Sequence, residues 1–301
     1  MNVLVSGSTG LVGSAVAKAL TAEGHRVTRL VRTEVSPGTM AISWDPGAKR
    51  LPAPALEGLD AVVHLAGENI AKGRWNTAKK AAIRDSRVQG TRVLCEALAQ
   101  LVEPPKVLVS ASAIGYYGSR GDRVMREDSR PGTDFLAEVC RDWEAATQPA
   151  EARGIRVVHL RIGVVMAREG GALHKMLTPF KLGGGGVMGS GQQYVSWVAL
   201  EDVTGIILHA LANESLSGPV NAVAPHPVTN HELTKTLGRV LKRPTKAWMP
   251  APAVKALFGE MGDALLLSST RVEPARLEAS GYTFHQPELE GALRQILGRA
   301  A

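Results

Sequence analysis

Apolar and polar positions alternate along the first half of the chain in two distinct rhythms. Val3–Ser6 is a short apolar strand, and a glycine-rich turn follows it directly. From Leu11 to Glu23 the apolar residues recur at helical spacing, and Gly24 supplies a helix stop. His25–Arg32 (HRVTRLVR), Ala61–Leu65 (AVVHL), Lys106–Ser110 (KVLVS) and Arg156–Arg161 (RVVHLR) read as further strands. Ala78–Leu101 reads as a long helix and Phe135–Arg153 as another. Strands that are nearly continuous apolar runs, alternating with helices, predict an α/β fold. Its core would be a parallel sheet, covered on both faces.

After Gly163 the alternation weakens. Gly183–Gly191 is glycine-rich, Val203–Ala212 looks helical, and Thr229-x-x-Glu232 is a capping box opening a helix through Leu241. Pro250 and Pro252 mark the start of another helix and Pro287 the start of the last. The expected division is a nucleotide-binding domain at 1–165, with parts of its sheet completed from 166–224. A smaller mixed lobe on the substrate side would occupy 166–301, including a helical piece at about 225–301.

Composition narrows the function classes. Of 301 residues 45% are apolar, enough for a large core, yet no apolar run approaches the roughly 18–20 residues that span a bilayer. No charged, apolar and cleavage-site succession opens the chain, so no secretory leader is expected. Two cysteines, Cys95 and Cys140, argue against a disulfide framework and for a reducing, cytoplasmic setting. Metal-ligand clusters are absent from the sequence. The net charge of +7 is scattered rather than clustered, and no zinc-finger, basic-region or aromatic RNA-binding pattern accompanies it. No nucleic-acid or membrane partner is therefore expected. A small anionic ligand accounts for part of the excess.

Gly7-Ser8-Thr9-Gly10-Leu11-Val12-Gly13 lies between the first strand and the first helix. In that place glycines permit a tight turn, close approach of a pyrophosphate, and close helix–strand packing. The helix N-terminus offers free N–H groups to the anion. These features predict a Rossmann-type, doubly wound sheet that binds a dinucleotide. Near the end of the second strand, where NAD-preferring sites carry an acid, stand Arg29 and Arg32, with Glu34 only in the loop beyond. A guanidinium suits a 2′-phosphate, which predicts NADP(H) over NAD(H).

The chain resembles the extended short-chain dehydrogenase/reductases. The likeness rests on GSTGLVG, His64-Leu65-Ala66-Gly67, Val88-x-Gly90-Thr91, SASAIGYYG at Ser110–Gly118, and Arg161-Ile162-Gly163-Val164-Val165. Ala66–Ile70, Arg74-Trp75, Asp85-Ser86-Arg87, GYYG, Trp143-Glu144 and Gly189-Ser190-Gly191 resemble, more narrowly, an atypical epimerase-like branch. That likeness implies NADP(H) binding and a C-terminal helical piece of unassigned function. Cofactor contacts would fall on Gly7, Thr9, Gly10, Leu11, Val12, Gly13, Arg32, Leu65, Ala66, Gly67, Arg87, Ser110 and Val164. Glu68 and Asn69 follow the cofactor strand and are the expected substrate-side residues.

The parent group places a Tyr and a Lys four residues apart on the helix after the serine strand, as its acid–base pair. With Glu144 set against the glutamate that often follows, Leu136 takes the Tyr place and Cys140 the Lys place. A slip of one residue either way does not restore the pair. Ser112, Tyr116 and Tyr117 remain as catalytic candidates; whether Ser112 or Ala113 takes the hydroxyl place turns on a one-residue gap, and Ser112 is preferred. The expected activity is an NADP-dependent oxidoreduction of a small carbonyl or hydroxyl compound by a monomer or homodimer. The alternatives are a nucleotide-sugar epimerase or dehydratase, and a non-catalytic NADPH-binding or sensing protein. Gly183–Gly186 lacks a Gly-Lys-Ser/Thr ending and reads as a loop or hairpin, with His174, Lys175 and Lys181 as solvated neighbours.

Overall fold

Seven parallel strands run through the centre of the molecule in the computed structural model, which describes residues 1–36 and 38–299. They are β1 (Asn2–Ser6), β2 (Arg26–Val31), β3 (Ala41–Ser43), β4 (Ala61–His64), β5 (Val107–Ala113), β6 (Arg156–Ile162) and β7 (Gly218–Ala222), in the spatial order β7-β6-β5-β4-β1-β2-β3. Every pairing is parallel. The chain lays β1 to β3 in one direction, then returns to place β4 on the other side of β1. The loops after β1 and β4 therefore diverge, and a crevice opens between them at the carboxyl end of the sheet, which is where such folds bind ligands.

Pleating sorts the strand residues between two cores. Val3, Val5, Val63 and Val109 face α1 (Leu11–Ala22) together with the helix Leu200–Ala212. Leu4, Val62 and Leu108 face α2 (Thr77–Ala99). Asn76 opens α2 by accepting the Lys79 amide through its side chain, a helix start that the apolar spacing locates within one residue. A third cluster, around Phe180, Trp197 and Leu237, holds the later segments together. Thr229 caps the helix Asn230–Leu241 as its capping box predicts.

Two expectations are corrected. The helix expected over Phe135–Arg153 is two pieces, α3 (Phe135–Ala145) and a single turn at Gln148–Ala152. Pro149 has no N–H to continue the ladder, and Thr147 bends back to donate to the Glu144 carbonyl. β5 runs on to Ala113 rather than stopping at Ser110, which places Ser112 within the sheet. β3 and the paired short strands of the later segments, such as Arg271–Val272 beside Val124–Met125, are too brief to show a period in the sequence.

Candidate functional site

The crevice between β1 and β4 is built from backbone. Gly7 has φ +66°, a region open to glycine at little cost, and a Cβ there would meet the Leu65 carbonyl oxygen at 2.7 Å. A Cβ on Gly13 would meet the Gly7 oxygen at 2.2 Å, so the first turn of α1 lies directly on the loop. The Gly10 amide closes that loop on the Gly7 oxygen at 2.9 Å. α1 has no side-chain cap, so its first N–H groups lie open beside the turn. The Ser8 hydroxyl is buried there without a partner, a polar group awaiting one. Thr9 and Gly10 are exposed, and Leu11 and Val12 half-buried. A cleft of about 910 Å³ leads from Ser8 past Lys18 and Arg29 to Thr33 and Ser36, just beyond Arg32. Arg32 is exposed and makes no hydrogen bond or ion pair among the described residues. Its charge helps hold the Glu68 carboxyl below the usual range, behind the larger effect of Lys79. These residues fit a phosphate-bearing dinucleotide: an anion-ready helix end, a glycine cradle and a free cation at the end of β2.

A buried polar chain fixes the facing segment. The Leu65 and Ala66 amides both donate to the Ser6 hydroxyl, at 3.0 and 3.2 Å. Ser6 then has its own proton for Nδ1 of His64, 2.7 Å away, and the Nε2–H of His64 points to Thr91 at 3.1 Å. Trp143 donates to the same threonine. His64 is fully buried, and desolvation lowers its pKa to about 4, so it remains neutral. Gly67 carries the Arg87 guanidinium against it: a Cβ there would lie 3.2 Å from that group's central carbon. Arg87 donates to the carbonyls of Glu68 and Ile83 and lies 5.1 Å over the Trp143 ring. Glu68 pairs with Lys79 at 2.6 Å, and Asn69 spends its side-chain oxygen on the Ala71 amide in its own turn.

The third part lies where β5 meets α3. Leu136 and Cys140 face Gly115, where an added Cβ would meet them at 3.3 and 3.8 Å. Burial raises the Cys140 thiol to about 12. Ser112 is 3% exposed and donates to Glu144 at 2.7 Å. Glu144 also accepts two hydrogen bonds from Arg161, both at 2.8 Å. Arg161 in turn donates to the Tyr117 hydroxyl and the Glu127 carbonyl. Tyr117, a candidate acid in the sequence, is set as a buried strut. It is wholly buried, donates to Asn221 at 2.6 Å, and is pushed up to about 12 by desolvation. Tyr116 behaves differently. It is half-buried, and its ring covers the Arg161 guanidinium at 3.5 Å. Ser110 is buried with an unpartnered hydroxyl, and Val164 is half-buried on a short strand beside Trp197–Ala199.

The Glu144–Arg161 pair is the chief feature that pattern alone does not reveal. Its signal is an arginine next to the last residue of a strand whose interior is buried, which demands a buried partner. The loop after β4 and the first turn of α2 are also tied to later segments: Arg74 donates to the Ala256 carbonyl, Lys80 pairs with Glu260 at 2.6 Å, and Lys175 donates to the Ala71 carbonyl at 2.7 Å. Lys175 is therefore engaged rather than merely solvated. Gly183–Gly185 forms the turn before the short strand Gly186–Met188.

Comparison with known proteins agrees with this geometry. The model of the NAD dependent epimerase/dehydratase family matches residues 3–223, and that of a domain of unknown function (DUF1731) matches 249–296. The chain is 45% identical over 291 residues to epimerase family protein Mb2239 of Mycobacterium bovis, covering 97% of this chain and 96% of that one. It is similar to the crystal structure of human epimerase family protein SDR39U1 (isoform 2) with NADPH, at a TM-score of 0.91 and 38% identity over 100% of both chains. It is also similar to a Corynebacterium glutamicum structure described as a nucleoside-diphosphate sugar epimerase. There the TM-score is 0.82 and the identity 39%, over 99% of this chain and 58% of that one.

Proposed function

The chain belongs to the NAD dependent epimerase/dehydratase family, and on that premise we propose that it binds NADP(H) and oxidises or reduces a small carbonyl or hydroxyl compound. The observation that carries the reading is the backbone cradle, in which Gly7 and Gly13 leave room only for main chain and for a ligand beside α1. Gly7, Thr9, Gly10, Leu11, Val12 and Gly13 would hold the pyrophosphate. Arg32 would take the 2′-phosphate, and Arg87 would add a second cation. Leu65, Ala66, Gly67, Ser110 and Val164 would line the rest, with Glu68 and Asn69 toward the substrate. Residues 166–301 would form the substrate-side lobe. The human relative's NADPH supports the choice of cofactor.

A nicotinamide supplies hydride transfer, so the protein must handle one proton. Leucine at 136 moves none, and the Cys140 thiol is buried and held protonated. The Ser112 proton is directed at Glu144. Tyr116 is the candidate acid that is only half-buried. Arg161, stacked beneath the ring and fixed by Glu144, is its positioning residue. Titration with NADPH and NADH tests the cofactor: NADPH should bind more tightly, and tighter NADH binding overturns the choice. Hydride transfer is then read across a carbonyl panel, with Tyr116→Phe expected to cost at least tenfold in kcat.

Leu136 and Cys140 favour a second reading, a non-catalytic NADPH-binding or sensing protein. It predicts tight NADPH binding with no hydride transfer to any member of the panel. Should the protein instead be a nucleotide-sugar epimerase, turnover needs no added cofactor and leaves the bound one unchanged overall.

A further inference from the structure

We infer that residues 251–267 form a strap latched onto the loop that lines the cofactor crevice, and that this latch sets the rate at which the dinucleotide leaves. The inference deepens the proposed reading and rests on it for the cofactor. Leu65 and Ala66 stand at the crevice, since an added Cβ on Gly7 would meet the Leu65 oxygen at 2.7 Å and the Ala66 nitrogen at 2.9 Å. The same irregular segment runs on to Asn76, which caps α2. Its far end is held by later segments. Arg74 donates to the Ala256 carbonyl, Lys80 in the first turn of α2 donates to Glu260 at 2.6 Å, and Lys175 donates to the Ala71 carbonyl at 2.7 Å. Each tie is made by a cationic side chain. The Lys80 ammonium also lies 4.5 Å from the centre of the Phe135 ring. The next residue, Leu136, faces Gly115, which directly precedes Tyr116. Glu260 is therefore latched at the end of the crevice where the candidate acid stands.

The strap itself is weakly rooted. It consists of two short helices, Ala251–Phe258 and Glu260–Gly262, and the turn Asp263–Leu267. Val254 is its one fully buried apolar side chain, and none of its residues joins a core cluster among the described residues. Leu257 is exposed, and Leu265, Leu266 and Leu267 are half-buried. Gly259, at φ +63° and with nothing within 4 Å of an added Cβ, is an open elbow just before Glu260. The firm attachments stand at the two ends. At one end the Gly189 amide donates to the Met249 carbonyl at 2.9 Å. At the other, Gln193 donates to the Leu266 carbonyl at 3.0 Å and the Ser269 amide donates to the Ser119 hydroxyl at 3.1 Å. A segment with fixed ends, few buried apolar contacts and polar ties at its middle opens locally at low cost. Because those ties reach the cofactor loop, a dinucleotide that orders the loop also holds the strap. The strap in turn favours the bound dinucleotide by the same factor.

A charge swap tests the latch. Lys80→Glu and Glu260→Lys each turn the pair into a repulsion, and the double variant restores an ion pair in reversed order. Without cofactor, hydrogen exchange in peptides covering 251–267 should be about three- to tenfold faster in each single variant and within about twofold of native in the double. Asn230–Leu241, which packs in the third core cluster, should exchange alike in all four proteins, and this shows that they fold. With NADPH bound, 251–267 of the native protein should exchange at least about fivefold more slowly than without it. NADPH release, followed by stopped-flow fluorescence after a chase with excess NADP, should be at least about threefold faster in both single variants and native-like in the double. Equal exchange of 251–267 in the native protein and the single variants overturns the latch, as does a double variant that behaves like the singles. Faster exchange with unchanged NADPH release, or no protection of 251–267 by NADPH, overturns its control of the cofactor. Absence of NADPH binding by the native protein fails the cofactor reading and the control of release with it, whereas the cofactor-free exchange still decides the latch, so the two fail separately.

Discussion

Glu144→Ala removes the acceptor on which the buried half of the site depends. The Glu144 and Arg161 side chains are 12% and 3% exposed, and the carboxylate accepts two guanidinium bonds at 2.8 Å and the Ser112 hydroxyl at 2.7 Å. Alanine leaves Arg161 buried with only the Tyr117 hydroxyl, the Glu127 carbonyl and the Tyr116 ring, and it leaves Ser112 without an acceptor. Breaking a buried pair from one side costs roughly 3–5 kcal/mol, mostly the penalty of the stranded charge. For a chain of 301 residues, at roughly 2.1 cal/mol/K of unfolding entropy per residue, that corresponds to a Tm drop of about 5–8 °C. Urea unfolding followed by tryptophan fluorescence reads it, the chain having five tryptophans. Arg161→Met alone strands the carboxylate and should cost a similar amount. Glu144→Ala with Arg161→Met strands no charge, so it should cost less than the sum by about 2 kcal/mol or more. A Glu144→Ala cost below about 1 kcal/mol, or strict additivity in the double variant, would refute the stranded-charge argument.

Three further outcomes follow from single groups. His64 has a folded pKa of about 4 against 6.5 unfolded, so its stability contribution is complete above pH 6.5 and falls as pH drops toward 4. The loss is at most about 1.4 kcal/mol per pH unit. His64→Asn should flatten the stability–pH curve by one proton in that window, while His159 and His209, also lowered, remain in both proteins and cancel; an unchanged slope contradicts a neutral His64. Arg32→Glu should weaken NADPH at least tenfold and narrow or reverse its preference over NADH, by fluorescence titration; an unaltered ratio places the 2′-phosphate elsewhere. Cys95 and Cys140 are both raised to about 12 by burial, so native protein at pH 8 should show no fast thiol with an aromatic disulfide reagent, and two after unfolding.

Legibility in the sequence followed the range of each interaction. Val3–Ser6, the glycine turn and α1 lie within about twenty residues, and their chemistry is local; the sheet and the cradle could therefore be read directly. β5 and β6 were visible as apolar runs, but Ser112 and Arg161 meet through Glu144, which lies on α3 between those two strands in sequence. No period marks that junction. Tyr116 and Tyr117 are adjacent and chemically alike, yet one half-covers Arg161 and the other is buried against Asn221, 104 residues later.

On the reading in which Leu136 and Cys140 take the Tyr and Lys places, this site departs from the pattern that the chain resembles. A dinucleotide cradle is made of main-chain atoms and glycines, so it tolerates change elsewhere. The Tyr–Lys pair is two side chains on one helix face, and it can be lost without disturbing the cradle. Here that face carries Leu136 and Cys140, and a cation beside Ser112 comes instead from β6, as Arg161. Arg161 cannot replace the lysine by reaching ribose from α3, because both of its carboxylate-facing nitrogens are held by Glu144. What it can do is hold a phenol still. On the oxidoreductase reading, a proton route would start at the end of β5 rather than on α3. Leu136→Tyr with Cys140→Lys would put a second phenol beside Gly115 and a lysine in a buried place. If Tyr116 is the acid, that double variant should lose stability and gain no turnover; a large gain in kcat at unchanged NADPH affinity would return the chemistry to α3.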